Sequence, residues 1–235
     1  MFQTDPFSLI VLLVGLSLLP FVAMVATSYL KIVVVMSLIR NALGIQSIPP
    51  NMVLNALAMI LSFYIMAPVC SEAWTIVKEN ADRRKAVVAQ KTAGQQAALP
   101  GAPVLGFETA DLEKAAEPFR TFLSRHTSDR ERAFFVSTAE QLWGKDGEPA
   151  LVDPESFWIL LPSFCVSELT KAFQIGFLVY LPFIAIDIIV SNILLAMGMM
   201  MVSPVTISLP FKLLLFVMVN GWTLLIQGLV RGYML

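Results

Sequence analysis

The chain alternates between long uncharged apolar runs and a single polar stretch. Residues 7–26, "FSLIVLLVGLSLLPFVAMVA", carry no charge and match the roughly 20 apolar residues that a helix needs to cross a bilayer. After Lys31 the pattern resumes as "IVVVMSLI" up to Arg40, residues 44–50, "GIQSIPP", supply a turn, and residues 52–70 return. This predicts an apolar helical hairpin over residues 1–71. A continuous helix from residue 8 to 43 would be about 54 Å long, against a hydrocarbon core of about 30 Å. Tilt or a kink at Pro20 absorbs part of that excess. Either the span ends near Lys31, or the hairpin packs on protein rather than lipid.

Residues 72–155 form a polar insert. It opens on a charged helix end, "KENADRRK", and continues through residues 86–106, rich in Ala, Gln, Gly and Pro, which read as a flexible linker. Helical signals then return. Thr109 and Asp111 start a helix reaching His126, and the capping box "SDRE" at residues 128–131 opens a second. In that second helix Phe134, Phe135, Leu142 and Trp143 recur at helical spacing, and Gly144 supplies a stop. The segment "DPES", residues 153–156, places Pro154 at a favourable first helical position and leads into a third apolar region, residues 157–201. That region is too long for one simple span and is divided near Pro162 into a short leading helix and a longer one. After the turn "MGMMMVSP" at residues 197–204, residues 209–230 form a fourth run carrying Lys212, Asn220 and Gln227. The expected fold is all-α and membrane-associated: two long apolar hairpins, residues 1–71 and 156–235, flank a small polar helical insert.

Composition reinforces this reading. Apolar residues make up 57% and charged residues 14% of the chain, against roughly 45–50% and 25% in ordinary soluble domains. Of the 33 charged residues 25 lie between Glu72 and Glu155, so the hairpins are almost free of charge. A secretory leader is the competing reading of the first run, but no Lys or Arg precedes it and no good cleavage site follows. A net charge of −1 leaves no basic face for nucleic acid. Two cysteines and one histidine are too few for a zinc site or a nucleophilic triad. A bridge between Cys70 and Cys165 is conceivable, although free apolar cysteines are common. Lys31, Arg40 and Lys212 flank the two turns without acidic neighbours, which orients both turns toward the cytoplasm, while Arg231 and residues 83–85 oppose that orientation.

Residues 27–68, "TSYLKIVVVMSLIRNALGIQSIPPNMVLNALAMILSFYIMAP", closely resemble the first signature block of the FliP/SctR family, the export-gate proteins of flagellar and virulence type III secretion systems. Residues 168–222, from "ELTKAFQIGF" through "LLAMGMMMVSPVTISLPFKLLLFVMVNGW", resemble the second. The start close to the first apolar helix, and Ser203-Pro204 where flagellar members often carry two prolines, favour the injectisome branch. The resemblance implies a non-enzymatic subunit without a cofactor. It implies a homo-oligomer, typically a pentamer, joined by SctS and SctT type subunits and other export apparatus proteins, through which unfolded substrates leave the cytoplasm. It also implies a place in the bacterial inner membrane, with the assembled gate largely at or above the periplasmic face. That arrangement accounts for hairpins longer than the bilayer.

The same resemblance identifies Met199, Met200 and Met201 as a pore gasket, with Gly198 and Pro204 freeing the backbone that presents them. The bland alternative is that Met simply fills membrane helices. Asp187, inside an apolar helix, reads either as a proton site or as a salt-bridge or hydrogen-bond partner between subunits. The pairing role is preferred because no second acid accompanies it. Lys31, Arg40, Lys212 and Asn220 read as topology or interface residues, and Glu168 with Lys171 as a local helical pair. Gly44, Pro49 and Pro50 mark either a plain hairpin turn or a contact for a cytoplasmic export partner. An independent small-solute transporter is the alternative class, and it would call for a midplane polar site or an internal repeat. A membrane-bound enzyme would need a catalytic constellation that this chain lacks.

Overall fold

Eight helices make up the secondary structure of the described residues in the computed structural model, which comprise 6–45, 48–93, 109–144 and 151–234. They are α1 (Pro6–Val25), α2 (Tyr29–Ala42), α3 (Asn51–Ala93), α4 (Thr109–His126), α5 (Asp129–Trp143), α6 (Phe157–Ala196), α7 (Pro204–Met218) and α8 (Gly221–Arg231). No strand occurs among these residues.

Several helix boundaries differ from the sequence-based expectation. Pro20 lies inside α1, and that helix ends at Val25, before the break at residues 26–28. Thr27 and Ser28 sit in that break, and such side chains compete for backbone partners and favour leaving a helix. The amide of Tyr29 donates to Thr27 Oγ1 at 3.3 Å. The third apolar region is not divided at Pro162. α6 runs unbroken through Pro162 and Pro182, and its start lies three residues beyond Pro154, with Ser156 Oγ accepting from the Trp158 amide at 3.2 Å. The fourth run is broken where none was expected, at Asn220, and α7 and α8 meet at 59°. Of the linker anticipated over residues 86–106, residues 86–93 continue α3, and 94–106 lie outside the described residues. The α5 start follows the "SDRE" signal, although Ser128 makes no side-chain cap bond. Cys70 and Cys165 are not joined by a disulfide.

The chain divides into two compact units, to both of which α3 and α6 contribute. In the unit formed by Met1–Ala26 and Met66–Phe164, α4 and α5 form a short helical pair. Arg132 Nη2 donates to the Ser124 carbonyl at 2.6 Å, fastening α5 to α4. The Phe122 ring lies 4.7 Å from His126 and 5.8 Å from Phe164 at the start of α6, and Leu123, Leu160 and Phe164 are fully buried. By contrast, α1 leaves Ile10, Leu13, Leu18 and Phe21 exposed.

In the unit formed by Thr27–Ile65 and Cys165–Leu235, α2 is the central element. Ile32, Val35, Met36, Ile39 and Ala42 recur at the three- and four-residue spacing of one helix face, and all are buried. Around them pack Leu54 and Ala58 of α3, Ala172 and Phe183 of α6, Phe216 of α7 and Leu229 of α8. α6 approaches α2 closely at Gly176, where even a Cβ would press on Leu38. At the α7–α8 bend Asn220 adopts φ +51, a left-handed conformation that Asn tolerates better than most residues. The next residue, Gly221, faces the ring of Phe216, which packs edge-on to Trp222 at 5.4 Å.

α3 over Asn51–Asn80 and α6 over its whole length are long and apolar enough to cross a membrane. At 40 residues α6 measures about 60 Å, roughly twice the hydrocarbon thickness.

The bend supplies a specific test. Gly221→Ala forces the Phe216 ring out of its packing and is expected to lower stability by about 1–3 kcal/mol. Asn220→Gly, compatible with the left-handed backbone, is expected to be nearly neutral. Thermal unfolding of the detergent-purified protein checks both; equal losses would show that the bend is not fixed by this packing.

Candidate functional site

The turn between α6 and α7 is specified by its backbone. Gly198 has φ +75 and donates its amide to the Leu195 carbonyl at 3.0 Å, while the Met199 amide donates to Leu194 at 2.9 Å. This is the paired bonding of a Schellman termination, which requires a left-handed residue at the Gly198 position. Nothing lies within 4 Å of a Cβ built there, so the requirement is conformational and not one of space. The Met200 amide bonds to the Gly198 carbonyl at 3.0 Å, and Ser203 is extended before Pro204 opens α7. Between these two stops the methionines project. Met199 is 45% exposed, Met200 82% and Met201 101%. The lower exposure of Met199 fits its place in the Schellman motif, where this residue folds back toward the helix end. Below the turn, α6 and α7 leave an open groove of about 360 Å³ lined by Ile186, Val190, Ile193, Ile207 and Phe211 among other apolar residues, with no polar group to hold a solute.

Asp187 and Lys212 meet in the same chain. Lys212 Nζ lies 2.6 Å from Asp187 Oδ2 and also donates to the Ala42 carbonyl, at 3.3 Å, at the end of α2. Ser208, one turn before Lys212 on α7, donates its hydroxyl to Asp187 Oδ1 at 2.6 Å. Lys212 and Ser208 are buried, whereas the Asp187 side chain retains 33% of its exposure. The carboxylate thus has two partners within its own chain. Asn220 is not among them; it serves the α7–α8 bend.

A second ion pair lies at the start of α2. Lys31 Nζ is 3.0 Å from Glu168 Oε2, and both side chains are buried. Lys171 reaches Glu168 Oε1 at 3.2 Å, the helical pair anticipated from spacing. Tyr233 donates its hydroxyl to the Glu168 carboxylate, and the Lys31 ammonium sits 3.5 Å above the centre of its ring. Burial, and then the neighbouring carboxylate, hold the Tyr233 phenol far above its ordinary range, so it remains a protonated donor. Nearby, Ser28 Oγ donates to Ser62 Oγ at 3.2 Å, and Ser62 Oγ donates to Thr27 Oγ1 at 3.0 Å.

Lys31 and Lys212, used to orient the hairpin turns, are therefore buried with their charges answered by carboxylates, whereas Arg40 is half-buried. Arg40 donates to Asn51 Oδ1 across the turn. Gly44 there has φ +77 at the end of α2, and the Ile48–Pro49 peptide is cis, followed by Pro50. Gln46 and Ser47 lie outside the described residues. Among the described residues no cluster of three His, Cys, Asp or Glu side chains is placed to hold a metal.

Sequence reasoning named Asp187 and Lys212 separately, and missed Tyr233 and the burial of Glu168. A signal for the first was present: Ser208 and Lys212 stand four apart on a largely apolar helix and so share a face, as partners of one carboxylate must. No local pattern points to Tyr233.

The model of the FliP family matches residues 12–229. The Yop proteins translocation protein R of Yersinia pestis is 48% identical over 231 residues, 97% of each chain. The hypersensitivity response secretion protein HrcR of Ralstonia nicotianae is 47% identical over 226 residues, 96% of each chain. The flagellar biosynthetic protein FliP of Pectobacterium carotovorum subsp. carotovorum is 40% identical over 227 residues, 95% of this chain and 77% of the relative. The chain belongs to the FliP family, with higher identity to these injectisome-type relatives than to the flagellar one.

Proposed function

We propose that this protein is a structural, non-enzymatic subunit of a bacterial type III protein export gate. Several copies, typically five in the family, assemble in the inner membrane with SctS and SctT type subunits, largely at or above its periplasmic face, around a path for unfolded substrates. Met199, Met200 and Met201 form the collar that closes that path. The observation that carries this reading is the methionine turn: a backbone fixed at both ends by Gly198 and Pro204 that presents unbranched thioethers away from the chain's own core. Three rotatable bonds let such side chains repack around surfaces of different shape. A ring of them closes when empty and yields to a passing chain. The apolar groove below the turn lacks the polar groups that selective solute transport would use.

Asp187 acts as a pairing residue in this scheme. Its carboxylate holds the buried Lys212 ammonium, which in turn caps α2, so removing it disturbs the frame beneath the turn.

Three measurements test the proposal. Gentle extraction followed by mass measurement is expected to give an oligomer with associated subunits, and a lone monomer that transports in liposomes would defeat it. Replacing Met199, Met200 and Met201 together by Ala is expected to raise ion leakage through the closed complex, with assembly retained; an unchanged leak removes the gasket from the mechanism. Asp187→Asn preserves an acceptor for Ser208 but leaves Lys212 without its counter-charge, and is expected to cost about 1–3 kcal/mol of stability, discounted for the partial exposure of the carboxylate. Export should fall in proportion to assembled complex. Normal assembly with loss of dependence on the proton gradient would instead make Asp187 a proton carrier.

A further inference from the structure

We propose that the C-terminal segment past α8 is a strap that closes the Lys31–Glu168 ion pair against water, and that Tyr233 is the residue by which it closes. Glu168 is completely buried yet faces two ammonium groups, Lys31 and Lys171. A buried ion pair is favourable only when its remaining hydrogen-bonding capacity is met and water is excluded. Tyr233 meets both conditions at once. The residue is 8% exposed; its hydroxyl donates to the carboxylate, and its ring lies beneath the Lys31 ammonium. The three groups come from the start of α2, the first third of α6 and the segment after α8, so no two of them form the closed cluster alone.

The tail is also built to reach that point. After α8 the Gly232 amide still bonds to the Gly228 carbonyl at 3.0 Å and the Tyr233 amide to Val230 at 3.1 Å, so the helix tightens and directs Tyr233 inward. The hydroxyl also lies 3.4 Å from the Ser28 carbonyl, at the helix break beside α2.

The test uses the full chain in its detergent-extracted complex, with Cys70→Ser and Cys165→Ser. Ser167→Cys, next to Glu168 and 3% exposed in the parent residue, reports water entry through its rate of reaction with a small maleimide. Tyr233→Phe retains the ring but removes the donor, and is expected to raise labelling roughly tenfold, the factor for losing one hydrogen bond to a charged group. Truncation after Gly232 is expected to raise it further and to lower Tm by roughly 5 °C. The same truncation in a Lys31→Met, Glu168→Leu background is expected to leave Tm nearly unchanged, because no ion pair then needs sealing. Equal Tm losses in both backgrounds would reduce the tail to ordinary packing and overturn the proposal. So would unchanged labelling in Tyr233→Phe, a result that stands even where the truncated chain fails to fold.

Discussion

The unit around α2 depends on one constraint: two ammonium groups lie inside an apolar core, and each is answered by a carboxylate from α6. Lys31 pairs with Glu168 and Lys212 with Asp187. A buried charge left alone is strongly unfavourable, so the two pairs admit few registers between α2, α6 and α7. The contacts run in the same order along α2 and α6, Lys31 with Glu168, Leu38 against Gly176, and then the α2 end near the Lys212–Asp187 pair. The helices are therefore parallel, an arrangement that sets their dipoles side by side. The charges offset this. Glu168 brings an anion to the first turn of α2, and Lys212 brings a cation to its last carbonyls, as the α2 dipole favours at each end.

Much of the helical content was legible because burial and membrane affinity both require long uncharged runs, and no other pattern in the sequence competes with them. The methionine turn was legible too, since Gly198 and Pro204 are the residues that a left-handed helix stop and a first helical position demand. Breaks were harder. Pro162 and Pro182 suggested interruption, yet a proline removes one bond from α6, and the flanking apolar turns carry the helix through it. The real interruptions have other signatures. Thr27-Ser28 offers hydroxyls that compete for the backbone, and Asn220-Gly221 is a turn dipeptide whose first residue tolerates the left-handed conformation. Asn220 was instead weighed as an intramembrane polar residue, because its apolar surroundings dominated the local pattern. The ion pairs join residues 137 and 25 positions apart in the chain, as Lys31–Glu168 and Asp187–Lys212, and no local periodicity encodes such a meeting.

The buried charges and the exposed methionines have opposite mechanical consequences, and their proximity in the chain is informative. Ion pairs and the Phe183–Phe216–Trp222 packing resist deformation, since any shift strips a charge of its partner or opens a void in close-packed side chains. The turn between α6 and α7 is stiff in its backbone for a related reason: its carbonyls are satisfied by specific amides, and Gly198 is committed to φ +75. The freedom that remains is in the χ angles of Met200 and Met201, which touch little of their own chain. In the gate proposed above, this would let the methionines repack while the backbone frame stays still. Methionine rotamers interconvert far faster than a helix can bend, and at less cost, so the turn can change its surface without changing its backbone.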